Sequence, residues 1–200
     1  MSFGVDFPQK TVRARVIIFY QEKQLMKETI KKLYLLQTKE GGIFDDVFHF
    51  LPENEQQMLE EAGEKFFLKK EYREKIKVVM TGGVFDIIHA GHIYTLNEAK
   101  KLGDVLVVAV AKDEHIKKRK PIHSLEYRTM IVDFLKPVDL ALPGTDNPKK
   151  LLDIVKPDII VYGYDQPEFI KPENVEVVKL KEQIEDGKFK TSKIIKELGL

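Results

Sequence analysis

The residues with the most chemical potential lie in one stretch, Met80-Thr81-Gly82-Gly83-Val84-Phe85-Asp86-Ile87-Ile88-His89-Ala90-Gly91-His92. Paired glycines let a backbone turn sharply and approach a ligand closely. A helix beginning near Gly91 aims its free amides and the positive end of its dipole at an anion, most simply a phosphate. His89 and His92 are three apart, so at a helix start they fall on one side and can face the same phosphate. The pattern is not a Walker loop, which needs Gly-Lys-Ser/Thr, nor a dinucleotide fingerprint with three spaced glycines. A second chemistry is open on the same residues, because Asp86, His89 and His92 recur by threes and could hold zinc for a hydrolase.

These side chains need a scaffold that gathers them on one edge, and the chain after Ile76 has the pattern for one. Short apolar runs at Ile76 to Met80, Val105 to Val110, Val138 to Leu142, Ile159 to Tyr162 and Val175 to Leu180 read as strands. Helical stretches separate or follow them, at His92 to Leu102, Ser124 to Leu135, Pro148 to Val155 and Thr191 to Leu198. Strands apolar throughout are covered on both faces, and strands alternating with helices make a parallel, doubly wound α/β sheet. Ligands bind such a sheet at the carboxyl ends of its strands. The Thr81-Gly82-Gly83 turn falls at such an end, as does Gly163-Tyr164-Asp165-Gln166 after the fourth strand. So does the basic run Lys117 to Lys120, which taken alone reads as a solvated surface. Ser124 and the Thr191-Ser192 pair stand where helix caps are expected.

His89-Ala90-Gly91-His92 in its setting resembles the His-x-Gly-His signature of the cytidylyltransferase-like nucleotidyltransferases, in the branch of glycerol-3-phosphate cytidylyltransferase and archaeal FAD synthase. The likeness continues through Ala99 to Asp104, Lys120 to Arg128, Val138-Asp139, Gly163 to Gln166 and Lys190 to Ile194, and covers essentially all of Ile76 to Leu200. The resemblance implies attack by an acceptor phosphate on the α-phosphorus of ATP or CTP, with pyrophosphate released and no covalent enzyme intermediate. It implies that His89 and His92 stabilise the transferring phosphoryl group, that Lys120 reaches the phosphates and that Arg128 grips one by a fork of donors. Thr81, Gly82, Gly83, Val84, Phe85, Gly91, Gly163, Asp165, Thr191 and Ser192 would form the nucleotide site. Mg2+ is the implied cofactor, with Asp86 the nearest carboxylate to help hold it.

Gly163 to Gln166 resembles the FAD synthase branch more than the glycerol phosphate one. Glu185, Lys188 and Lys190 stand where the latter has an arginine. The expected reaction is therefore adenylyl transfer to FMN. The alternatives are a cytidylyltransferase acting on glycerol phosphate or another polyol phosphate, and a nucleotide-binding sensor without catalysis.

Residues 1–75 read differently. Apolar positions at helical spacing, from Val12 through Tyr34, make one long or broken helix that Gly41-Gly42 interrupts. A second helix is expected from Pro52 to Arg73, with Met58, Leu59, Ala62, Phe66 and Phe67 as its apolar stripe. The expectation is a small all-α domain over 1–75 that packs on the 76–200 domain or makes a homodimer. It holds 13 Lys plus Arg and 13 Asp plus Glu, so it lacks the basic excess of a nucleic-acid module. His49 lies among apolar neighbours and reads as structural. The whole chain of 200 residues has a net charge of +1, which gives no pull toward nucleic acid or an acidic membrane. The absence of cysteine excludes disulfides, thiolate zinc sites and cysteine nucleophiles. No apolar run approaches membrane-spanning length and the start has no signal-peptide layout, so a cytoplasmic location is expected.

Overall fold

The structure is a computed structural model that describes residues 9–116, 120–164, 166–168, 170–181 and 191–199. Its centre is a five-stranded parallel sheet with the strand order β6-β5-β4-β7-β8. The strands are β4 (Val78–Gly83), β5 (Val105–Val110), β6 (Leu140–Pro143), β7 (Ile159–Tyr162) and β8 (Glu176–Lys179). The chain enters at β4, builds outward through β5 and β6, then returns past β4 to β7 and β8. The turn after β4 therefore lies at the point where the winding reverses, the position such sheets use for ligands.

Val105 to Val108 and Val78 to Val79 are fully buried because both sheet faces are covered. On one face, Val79, Leu106, Val108 and Val161 pack with Leu96 and Ala99 of α5 (Ala90–Lys100) and Val132 of α6 (Leu125–Asp133). On the other, Val78, Met80, Val105, Val107 and Leu140 pack with Leu151 and Val155 of α7 (Pro148–Val155). Helices on both faces make the sheet doubly wound. Local chemistry fixes their starts: the Ser124 hydroxyl accepts from the Tyr127 amide to cap α6, and Asn147 caps α7, whose first residue is Pro148.

The amino-terminal region shares the second of those cores. Ile30, Leu33 and Tyr34 of α1 (Gln9–Glu40) lie in the same apolar cluster as Val78 and Val107. The long helix expected there is present and ends at Gly41 and Gly42, with φ of 66° and 120°. A Cβ on Gly42 would come within 2.7 Å of Lys65 and Phe67 atoms, so the turn requires glycine twice over.

The second helix expected over Pro52 to Arg73 is not what forms, and the region is not all-α. Two one-turn helices, α3 (Glu53–Gln56) and α4 (Lys70–Arg73), flank a hairpin of β2 (Leu59–Ala62) and β3 (Lys65–Leu68). Strand β3 also pairs with β1 (Ile43–Phe44), giving a three-stranded antiparallel sheet. Between β1 and α3 lies α2 (Asp45–Phe50). The physical reason is Gly63, in the left-handed region at φ 68°, which reverses the chain where a helix would need to continue. Phe66 then stacks on Phe48 of α2, with ring centroids 3.8 Å apart. Among the described residues no helix is long and apolar enough to cross a membrane.

Candidate active site

Strand β4 delivers Thr81, Gly82 and Gly83 to the carboxyl edge, flanked by β5 and β7. Buried Thr81 donates its hydroxyl to the Val161 carbonyl of β7 at 2.8 Å. A Cβ on Gly82 would stand 3.1 Å from the Ala109 carbonyl oxygen, and one on Gly83 would stand 2.9 Å from the Phe85 ring. The pair of glycines thus admits both the neighbouring strand and Phe85. Phe85 itself is buried with φ of 53°, a conformation that L residues rarely adopt and that the surrounding packing must hold.

This strained turn feeds straight into α5. His89 occupies the N-cap position in extended backbone, and the His92 amide donates to the His89 carbonyl at 2.9 Å. The two imidazoles stack, with centroids 3.9 Å apart and planes inclined by 24°. The Phe85 ring supports His92 from 5.0 Å. Gly91 between them leaves the necessary room, because a Cβ there would stand 3.1 Å from two atoms of the His89 ring. The sequence expectation placed both histidines on one side of a helix start, and the structure has them in ring-to-ring contact beside the helix's positive end.

Asp86 lies under this turn with its side chain 1% exposed. Its carboxylate accepts the Ile122 amide at 2.9 and 3.1 Å and the His123 amide at 3.0 Å. His123 Nδ1 in turn lies 3.0 Å from the Asp86 carbonyl oxygen. Backbone amides thus occupy the carboxylate that the sequence offered as a metal ligand. Among the described residues no three His, Asp or Glu side chains converge where a metal ion could sit. That arrangement does not supply the three protein ligands of a zinc hydrolase centre.

Arg128 of α6, offered as a phosphate grip, is fully buried. Its Nε donates to the His123 carbonyl at 3.1 Å, and Nη1 donates to the carbonyls of Val84 at 2.7 Å and Ala111 at 2.9 Å. Nη2 donates to the carboxylate of Asp113. Lys120 stands two residues before Ile122, in the exposed loop that Asp86 and Arg128 hold. Lys117 to Arg119, the rest of the basic run, lie outside the described residues.

At the exit of β7, the Gly163 amide donates to Gln166 Oε1 and Gln166 Nε2 donates to the Gly82 carbonyl, both at 2.9 Å. Gln166 therefore ties the two glycine-bearing strand ends together. Sequence reasoning quoted it within a motif but assigned it no role. His123 was also passed over, since nothing in the sequence indicates that it packs on Asp86. Thr191 and Ser192 open α8 (Thr191–Leu198), as expected for a helix start, while their side chains and Asp165 lie outside the described residues.

A sequence model of the family described as cytidylyltransferase-like matches residues 80–197. The chain belongs to the cytidylyltransferase-like family. The match begins inside β4 and ends in α8, so it holds the whole carboxyl edge described above and leaves out α1 and the antiparallel sheet. Among similar proteins, an FAD synthase of Aciduliprofundum boonei is 53% identical over 44% of this chain and 61% of its own length. An FAD synthase of Thermococcus onnurineus is 40% identical over 66% of this chain and 96% of its own length. A solved structure, the lipopolysaccharide core biosynthesis protein of Thermoplasma volcanium, is 41% identical over 52% of this chain and 96% of its own, with a TM-score of 0.49. The match spans about three fifths of the first of these relatives and nearly all of the second.

Proposed function

We propose that this chain transfers an adenylyl group from ATP to FMN, forming FAD and releasing pyrophosphate. The observation that carries the reading is the stacked His89–His92 pair at the start of α5, reached through a glycine turn at the point where the sheet's winding reverses. The names of the 40–53% identical relatives supply the substrates.

In this reaction an FMN phosphate oxygen attacks the α-phosphorus of ATP. The bond from that phosphorus to the α,β-bridging oxygen breaks, and the electron pair leaves with pyrophosphate. Negative charge accumulates on the α-phosphoryl oxygens and the bridging oxygen. His89 and His92, which the helix fixes at its positive end, stabilise that charge without covalent chemistry. Gly82, Gly83 and Gly91 leave the backbone bare enough for the triphosphate to approach its amides. Val84 and Phe85 belong to the turn itself, and Gly163 lies at the neighbouring strand exit to border the nucleoside, a role the sequence also offers Asp165. Lys120 draws the leaving phosphates, as do the amides of Thr191 and Ser192 at the start of α8. Mg2+ bound to the triphosphate would neutralise charge on the leaving phosphates, and Asp86 is the carboxylate nearest in sequence to the histidine pair.

A pyrophosphate-release assay with Mg2+ that crosses ATP and CTP against FMN and glycerol phosphate tests the reading. Release that needs ATP and FMN together, with FAD as product, supports it. Release with CTP and glycerol phosphate replaces it by the cytidylyl reaction. Saturable nucleotide binding without release across the grid would leave a sensor.

A further inference from the structure

We propose that Asp86 and Arg128 are positioning residues, two buried charges that fasten the loop carrying Lys120 to the histidine turn, with neither touching substrate. An isolated ionised group in a protein interior costs several kcal/mol unless its hydrogen-bonding capacity is met. The Asp86 side chain is 1% exposed and Arg128 is 0% exposed,. Among the described residues both meet the demand mainly with backbone groups of loops at the carboxyl edge.

Arg128 uses four bonds to join three segments: Val84 in the turn after β4, Ala111 and Asp113 after β5, and His123 before α6. A guanidinium has five N–H donors in a rigid plane, so little is left to offer a phosphate, and reaching one would break the junction. Asp86 approaches the same loop from the other side. It holds the amides of Ile122 and His123, while Arg128 holds the His123 carbonyl. The peptide groups on both sides of His123 are thus clamped, one by an anion and one by a cation. Lys120 is carried at the end of that clamped segment, and Asp86 lies three residues before His89. The latch therefore sets the position of the lysine relative to the histidine pair.

The kinetic test of this proposal rests on the transfer reaction above; its exchange test does not. In the full chain, Asp86→Ala is expected to make the Ile122 and His123 amides exchange hydrogen at least about tenfold faster, since each loses a charge-assisted bond. Asp86→Asn, which keeps one acceptor oxygen for both amides, should keep most of the protection. In the pyrophosphate assay, Arg128→Ala and Lys120→Ala should each lower kcat/KM by about 10²-fold, the scale of a misplaced group. Because Arg128 acts through the Lys120 loop, the double variant should be no worse than the worse single one. Arg128→Lys should not rescue, because one ammonium cannot span three segments.

Three results would each overturn the latch. One is unchanged exchange in Asp86→Ala. Another is Arg128 and Lys120 effects that multiply to about 10⁴-fold, which would put Arg128 on the substrate. The third is a half-saturating Mg2+ concentration that rises in Asp86→Asn as it would for a lost metal ligand. If the unmodified chain releases no pyrophosphate, the transfer reading fails, and the exchange data alone decide the latch.

Discussion

The two edges of the parallel sheet are built from different materials. At the carboxyl edge, glycines, a left-handed Phe85 and two buried charges hold a pair of histidines close together. At the amino edge the amino-terminal region is tied down by ordinary structural contacts. Lys27 Nζ meets Asp104 at 2.6 Å before β5, and Arg73 meets the Lys156 carbonyl at 2.7 Å and Asp158 at 3.0 Å before β7. Tyr34 donates its hydroxyl to the Val155 carbonyl at 2.6 Å. Burial of Asp104 works against its charge, yet the bonds from Lys27 and the Lys77 amide outweigh it and hold the carboxyl below its ordinary value. The contrast separates a region that positions chemistry from one that covers a sheet face, and it implies that the two can be damaged independently.

The sharpest break of that contrast is at the histidines. His89→Ala or His92→Ala should lower kcat by about 10²–10³-fold each, the range for removing one group that stabilises transition-state charge. The thermal unfolding midpoint should stay close to that of the parent, because neither ring belongs to the apolar core clusters. Turnover by a folded double variant at the parental rate would end the proposed mechanism.

At Lys120 the expected effect is smaller and falls on binding. Lys120→Gln removes a point charge from an exposed loop, so kcat/KM should fall by up to about 10²-fold, carried mainly by a higher KM for the nucleotide, with a weaker salt dependence than the parent. An unchanged KM would remove the lysine from the phosphate site.

Much of this division is legible in the amino-acid sequence. Gly82-Gly83 and the histidine spacing marked the carboxyl edge, because a bare backbone after a buried strand and two imidazoles on one helical side have few other uses. The solid apolar runs of β4 and β5 likewise announced a sheet covered on both faces. The roles of Asp86 and Arg128 were not legible. Their partners are backbone amides and carbonyls, which every residue carries, so no side-chain pattern betrays them. The hairpin of β2 and β3 was missed because Met58, Leu59, Ala62, Phe66 and Phe67 satisfy a helical period as well as two short strands. Gly63, the residue that decides between them, costs only about 1 kcal/mol in a helix and so reads as tolerable.

In the other direction, Leu33→Ala should cut stability by about 2–5 kcal/mol through the cavity it leaves. Leu33 is fully buried, packed between α1 and the sheet. The kcat of the folded fraction, measured well below the lowered midpoint, should stay within about twofold of the parent if the covering region only covers. A large loss of kcat at equal folded fraction would instead couple the two edges through the sheet.

The mildest prediction concerns Tyr34, whose phenol burial pushes up to about 12 from an ordinary 10.0, with the Thr38 hydrogen bond and the Arg73 charge acting the other way. A raised folded-state pKa means that the folded protein holds this proton more tightly than the unfolded chain does. The associated stability is complete below pH 10 and drains away as the pH climbs from about 10 to about 12. Two pKa units correspond to roughly 2–3 kcal/mol. Tyr34→Phe deletes both the titration and the bond to Val155, so at pH 7 the variant should be less stable by about 1 kcal/mol. Urea unfolding at pH 9, 10 and 11 should then show the parent losing its advantage over the variant as the pH rises. Parallel curves at all three values would mean that the phenol reaches solvent, and that the seal between α1 and the sheet is looser than the packing indicates.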